Sequence, residues 1–294
     1  MKMSTSHFCV AALAALLAAL VSVPAEAEVL KPFKDDLFSG QSVLESRDGG
    51  DFEVVDYQEL RDINGRDSIP ERRVKDRYVS LGVRRQQANE TMNLPSGPLP
   101  VLRVGKAEGA AFTVIFIHGR GGDRRLGAND FTFGGNFNRL KNLAVENGGV
   151  YYAPSVPSFD KAGVSAVAGL IAHVQAASPG RPVVLACASM GSFICWGITR
   201  EAGAVANLAG MMIMGGATDP DFTKSAFHAA RLPLFFSHGS ADSVYAAADQ
   251  IALYDRLKKA GYPARFALFN SGSHGTPVRM TDWRLALNWI FAAK

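Results

Sequence analysis

The sequence predicts an α/β protein built on a mostly parallel, eight-stranded sheet with helices on both faces. Three observations carry that prediction. From residue 111 onward, short apolar runs alternate with segments of helical spacing, the order produced by a parallel sheet covered on both sides. The runs are continuously apolar rather than alternating, as strands buried on both faces require. Charge is also unevenly spread. Residues 28–110 hold 28 charged residues in 83, whereas residues 111–294 hold 28 in 184, so the second segment supplies the core.

The N-terminus reads as a targeting segment. A basic start at Lys2 precedes the apolar run 8–23 and a small-x-small site at Ala25-Glu26-Ala27. These are the parts of a secretory signal peptide, with cleavage expected after Ala27. Sixteen apolar residues fall short of the roughly 20 that span a bilayer, so no integral membrane span is expected after cleavage. The destination is then the periplasm or the medium. The net charge of +4 survives removal of Lys2 and Glu26 and forms no basic stripe, so nucleic acid is not an expected partner. Two cysteines remain, Cys187 and Cys195. A disulfide across the tight turn between them looks hard to close, and two buried thiols are expected.

The elements follow in order. Residues 28–74 form an N-terminal arm and edge-strand region, of which 28–50 is either an ordered arm or a loose tail. FEVVDY (52–57) and RYVSLGV (77–83) are plausible strands, with a turn signal at Asn64-Gly65 between them. NLPSGPLP (93–100) reads as a loop, and the charged segment as the antiparallel edge of one sheet. The main domain, 75–294, then alternates. Strands are expected at FTVIFIH (112–118), GVYYAPSV (149–156), RPVVLACA (181–188), LAGMMIMGG (208–216), LPLFFSHG (232–239) and ARFALFN (264–270). Helices are expected between and after them. Asp160 serves as N-cap of the one that Pro179-Gly180 stops.

Ligands of open sheets of this kind bind beyond the carboxyl ends of the strands, and four such ends carry reactive residues. They are His118-Gly119-Arg120-Gly121-Gly122, Ser189, Asp242 and His274. A serine hydroxyl is a weak nucleophile until a neighbouring base takes its proton. A histidine can do that and later protonate the leaving group, provided an acid fixes its tautomer and stabilises the imidazolium.

The order serine, acid, histidine, together with the motifs His118-Gly119-x-Gly-Gly, Ala188-Ser189-Met190-Gly191, His238-Gly239-x-x-Asp242 and Ser273-His274-Gly275, resembles the α/β-hydrolase superfamily. The resemblance covers about residue 75 to the end. It implies the α/β-hydrolase fold, with Ser189 as nucleophile, Asp242 as acid and His274 as base. It also implies an oxyanion hole made by the backbone N–H groups of Arg120 and Met190. The first glycine of the usual nucleophile turn is Cys187 here. About 15 residues separate MMIMGG from LPLFF, which leaves no room for a large cap. The branch resembled is therefore the small cap-less carboxylesterase, thioesterase and lipase-like one.

Other residues receive plainer readings. Asp219 and Asp221 are reserve acids, and Asp242 can alternatively cap a helix. His238 orients backbone, and His118 closes the oxyanion loop. His173 and His228 lie in helices as surface or packing residues. Arg120, Arg124 and Arg125 are solvated loop arginines or an anion-attracting group. FTFGG (131–135) is a pocket wall, a lid or loop packing. Asn89-Glu90-Thr91 is a glycosylation sequon only in a host that glycosylates. No metal or other cofactor is expected, since no ligand spacing is present. The expected function is an exported serine hydrolase cleaving small carboxylic esters through an acyl-enzyme. The alternatives are amide or peptide hydrolysis with the same triad, or a catalytically silent binding module of this fold.

Overall fold

The computed structural model describes residues 30–38 and 40–293; the signal-peptide reading of residues 1–27 lies outside them. The strands are β1 (Val43–Arg47), β2 (Phe52–Val55), β3 (Asp67–Ser68), β4 (Arg73–Val74), β5 (Gln87–Leu94) and β6 (Gly97–Val104). They continue with β7 (Thr113–Ile117), β8 (Val150–Pro154), β9 (Val183–Ala188), β10 (Gly210–Met214), β11 (Leu234–Gly239) and β12 (Ala264–Phe269). The helices are α1 (Asp35–Phe38), α2 (Arg124–Ala128), α3 (Asn136–Glu146), α4 (Lys161–Ala177) and α5 (Gly191–Ile198). After them come α6 (Ala202–Val205), α7 (Ala226–Ala229), α8 (Ala247–Lys259), α9 (Thr276–Met280) and α10 (Trp283–Ala292).

Among the described residues one sheet has ten strands, in the order β1-β2-β12-β11-β10-β9-β7-β8-β6-β5, and β3 pairs with β4 separately. The expected count of eight is thus corrected to ten. From β2 through β8 neighbouring strands run parallel. Strand β6 joins β8 antiparallel, and β5 and β1 are antiparallel edges. Aligned side chains alternate between the faces, as the two-residue period of a strand demands. Ile117, Cys187 and Ile213 stand level on adjacent strands and share one core with Ile194 and Leu170 of the helices. Val114, Ala186 and Met212 face the other way, into a second core with Leu140 and Trp283.

The charged N-terminal segment departs most from expectation. It does not form a single antiparallel edge. FEVV becomes β2, between the edge strand β1 and β12, and runs parallel to β12. RYVSLGV is not a strand but two 3-10 segments, Asp76–Tyr78 and Leu81–Gln86. Asn64 ends a π-helical turn over Leu60–Asn64, and Gly65 has φ −70°, so the turn signal there does not make a hairpin. The stretch 93–100, read as a loop, closes a tight hairpin in which Leu94 pairs with Gly97. Its prolines 98 and 100 are tolerated because β8 joins β6 only from Val101 on, leaving that end of the strand at an edge.

Of the two readings for residues 28–50, the ordered arm is the one seen in the described part. Leu30, Phe33 and Phe38 are buried. Asp35 bridges Arg139 of α3 and Arg284 of α10 at 2.9 and 3.1 Å, and the Leu30 amide donates to Asn288 Oδ1. Asp160 accepts from the Ala162 amide as the expected N-cap of α4. No helix among the described residues is long and apolar enough to cross a membrane.

Candidate active site

Strand β9 lies in the middle of the sheet, and the chain reverses sharply after it. Ser189 occupies the break with φ +52°, a left-handed conformation that a non-glycine residue adopts only when its surroundings enforce it. Two observations show what enforces it. The Ser189 amide still donates to the Met214 carbonyl of β10 at 3.0 Å. The helix that follows lies so close to β7 that a Cβ on Gly191 would stand 2.7 Å from the His118 carbonyl oxygen. Gly119 is equally constrained, since its Cβ would meet Ser189 Cβ at 2.7 Å.

Asp242 and His274 come from the ends of β11 and β12, and their loops are tied together. The amides of Ser240 and Ala241 donate to the carbonyls of Phe269 and Gly272, both at 2.9 Å. Across this junction His274 Nδ1 lies 2.8 Å from Asp242 Oδ2, and His274 Nε2 lies 2.9 Å from Ser189 Oγ. The carboxylate requires the hydrogen on Nδ1, which leaves Nε2 to accept from the serine hydroxyl. Burial pushes the Asp242 carboxyl upward. The hydrogen bond from His274 and those from the Val244 and Tyr245 amides outweigh it and hold the group below the usual carboxylate range. The reading of Asp242 as a simple helix cap does not describe it, because α8 begins only at Ala247.

The structure brings Ser189, Asp242 and His274 together and leaves the reserve acids elsewhere. Asp219 pairs with Arg200 at 2.7 Å and Asp221 with Lys224 at 2.7 Å. His118 is buried in the loop after β7. Its Nδ1 donates to the Gly119 carbonyl, and its Nε2 accepts from the Val156 amide, while burial lowers its basicity. It therefore ties two loops beside the serine. Arg120 follows Gly119 directly and is exposed, and Met190 opens α5. His173 is exposed on α4, and the His228 ring stacks on Tyr262 at 4.8 Å. Arg125 pairs with Asp123.

Apolar side chains of the neighbouring elements reach the surface. Phe193 and Val244 are 41% and 58% exposed. The Tyr245 ring lies 5.8 Å from that of His274. Within FTFGG, the Phe133 ring edge sits 3.5 Å from where a Gly275 Cβ would be, whereas Phe131 is covered by Arg73. A groove of about 820 Å³ runs along the outside of α5 between Phe159, Phe193, Trp196 and Thr218; Ser189, Asp242 and His274 lie outside its walls.

The cysteine expectation is corrected. Cys187 and Cys195 form a disulfide, with Cα atoms 6.2 Å apart, inside the usual span for such bonds. The tight turn is what permits it. Two strand residues back from Ser189 is about 6.6 Å. Five helical residues from Met190 to Cys195 is about 7.5 Å in the opposite direction. The two cysteines therefore return to the same level, and this spacing was the signal that could have revealed the bond. Both are fully buried, as expected of Cys187.

No protein-family profile matches the chain, and no curated protein matches it in sequence. Solved structures share its fold. The feruloyl esterase module from Clostridium thermocellum, complexed with sinapinate, aligns with TM-score 0.58 at 15% identity, over 74% of this chain and 93% of that one. A thermostable esterase aligns with TM-score 0.57 at 16% identity, over 71% of this chain and 63% of that one, so under two thirds of that protein is spanned. The Pyrococcus furiosus esterase Pf2001 aligns with TM-score 0.50 at 12% identity, over 70% and 92%. The fold is that of the α/β hydrolases, without a large cap: residues 217–231 between β10 and β11 hold only a 3-10 turn and the four-residue α7.

Proposed function

We propose that the protein is an exported serine hydrolase that cleaves carboxylic esters through an acyl-enzyme. The observation that carries this reading is the unbroken chain Ser189 Oγ, His274 Nε2, His274 Nδ1, Asp242 Oδ2, with steps of 2.9 and 2.8 Å. His274 takes the serine proton as the hydroxyl attacks the ester carbonyl, then delivers it to the departing alcohol. Water deacylates the serine by the same route. The tetrahedral oxyanion is held by the backbone N–H groups of Arg120 and Met190, each worth about 2.7–4 kcal/mol of transition-state stabilisation. The contact between Gly119 and Ser189 supports that assignment, because it brings the loop carrying Arg120 against the nucleophile.

The Tyr245 ring beside His274 and the Phe133 ring beside Gly275 favour esters with an apolar acyl or alcohol part. The Clostridium thermocellum neighbour is a feruloyl esterase by name, so aryl esters belong among the substrates tried. Export is read from the N-terminal segment, and the Cys187–Cys195 disulfide supports it, since such bonds persist in oxidising compartments.

A fluorophosphonate probe should label Ser189 in the folded protein, and Ser189→Ala should abolish labelling. Absence of labelling in folded protein would favour a binding module. p-Nitrophenyl esters of rising chain length, hydroxycinnamate esters and matched anilides should then be compared. Turnover of the anilides alone would overturn the ester assignment.

A further inference from the structure

Beside Asp242 stands a second histidine. His238 lies in β11, fully buried, and each ring nitrogen faces oxygen. Nδ1 is 2.8 Å from Gln250 Oε1 of α8. The orientation of that amide is fixed at its other end, where Gln250 Nε2 donates to the Gly216 carbonyl at 2.7 Å. An acceptor is therefore what meets Nδ1. On the other side Nε2 is 3.0 Å from the Tyr245 carbonyl oxygen and 3.1 Å from Asp242 Oδ2, again acceptors. A neutral imidazole carries one N–H and one lone pair. Either neutral tautomer would aim a lone pair at an acceptor in a site without solvent, which forfeits a hydrogen bond where burial makes that most costly.

We propose that His238 is a positioning residue of the candidate triad, with a hydrogen on both ring nitrogens, one holding Gln250 and the other holding the Tyr245 carbonyl against Asp242. Its kinetic consequence rests on the triad reading above; its proton count does not. Asp242 is the charged group facing it, and the two charges offset one another within the buried cluster. The turn from Asp242 to Tyr245 is then closed at both ends. Tyr245 donates its amide to Asp242 Oδ1 at 3.2 Å, and its carbonyl accepts from His238. Asp242 Oδ2 lies between two imidazoles, 2.8 Å from His274 and 3.1 Å from His238. His238 thus sets where the acid stands before His274 uses it.

Nitrogen–proton correlation spectra of the full-length protein labelled with ¹⁵N-histidine test the proton count, with His238 assigned by its loss in His238→Gln or His238→Asn. A proton on each ring nitrogen at neutral pH is expected; one bare nitrogen overturns the proposal. Kinetics test the positioning role. In His238→Gln an amide donor can reach the place of Nε2, whereas in His238→Asn it reaches only the place of Nδ1. The Asn variant should lose at least about tenfold in kcat with KM changed less than about twofold, the effect of one lost charge-assisted bond. The Gln variant should recover most of that loss. Equal losses in two folded variants overturn the positioning role. Should neither variant fold, His238 can be assigned in the wild-type spectrum by through-space contacts, and its proton count decides. Probe labelling of wild-type Ser189 separates the proposals: an unlabelled serine sinks the triad reading while the spectra still decide His238.

Discussion

At the residue scale, small side chains and one forced torsion hold Ser189 at the break between β9 and α5. Ser189 holds φ +52°, and Gly191 is the residue that lets the helix approach closely enough to keep it there. Alanine is favoured over glycine in a helix by about 1 kcal/mol, so propensity alone argues that Gly191→Ala would stabilise. Here the added Cβ would meet backbone oxygens of His118 and Ile117 at 2.7 and 2.8 Å. Backbone in a central strand does not yield cheaply, and overpacking of this kind costs about 1–3 kcal/mol. The clash wins. Gly191→Ala should lower stability in urea unfolding and slow probe labelling of Ser189; an unchanged midpoint would contradict this account.

At the element scale, the strand–turn–helix around Ser189 is a stapled unit. The disulfide closes a loop between residues eight apart, for which the chain-entropy account gives about 2–3 kcal/mol. The double variant Cys187→Ala with Cys195→Ala should unfold at lower urea concentration by about that amount, less whatever repacking recovers. Equal stability of the two proteins would show that the bond only follows the fold. Most elements here were legible in the sequence. β7 to β10 are continuous apolar runs, β11 and β12 are mostly apolar with His238 and Arg265 inside them, and each is placed within a few residues. The strands missed lie in the charged segment, and the five-residue helices α2 and α9 were missed outside it. The β5–β6 hairpin was hidden by Pro95, Pro98 and Pro100, whose usual meaning holds for central strands and not for an edge. The strand pattern of RYVSLGV was overridden when Tyr78, Val79 and Val83 found buried places from 3-10 turns.

At the scale of the whole molecule, buried ion pairs tie loops to the scaffold. Asp130 is 2% exposed and takes Lys141 and Arg84, both at 2.6 Å, while Asn138 bonds both Asp130 and Ser80. Burial pushes the Asp130 carboxyl upward, but the Lys141 ammonium, with Asn138 and Arg84, holds it below the usual range. A carboxyl depressed on folding adds stability above its unfolded value, and that stability is lost as pH falls through the folded one. Asp130→Asn should cost about 3–5 kcal/mol at neutral pH by leaving Lys141 uncompensated. The gap between variant and wild type should narrow below about pH 5. Urea unfolding at pH 7 and pH 4 measures both; a gap that widens in acid would reverse the assigned sign.

The sequence by itself determined the order of elements from residue 111 on and the three residues that would meet at the strand ends. It could do so because the pattern of apolar runs dictates a parallel sheet, and such a sheet gathers its strand ends on one side. Only the tertiary structure decided which edge the N-terminal strands join, since a short charged strand pairs wherever an open edge and a matching arm are found. It also decided that Cys187 and Cys195 meet, because the depth of two residues beside a turn depends on the rise of the strand and of the helix together. The acceptors around His238 on β11 come from the Asp242 loop and α8, and no spacing in the sequence records their convergence.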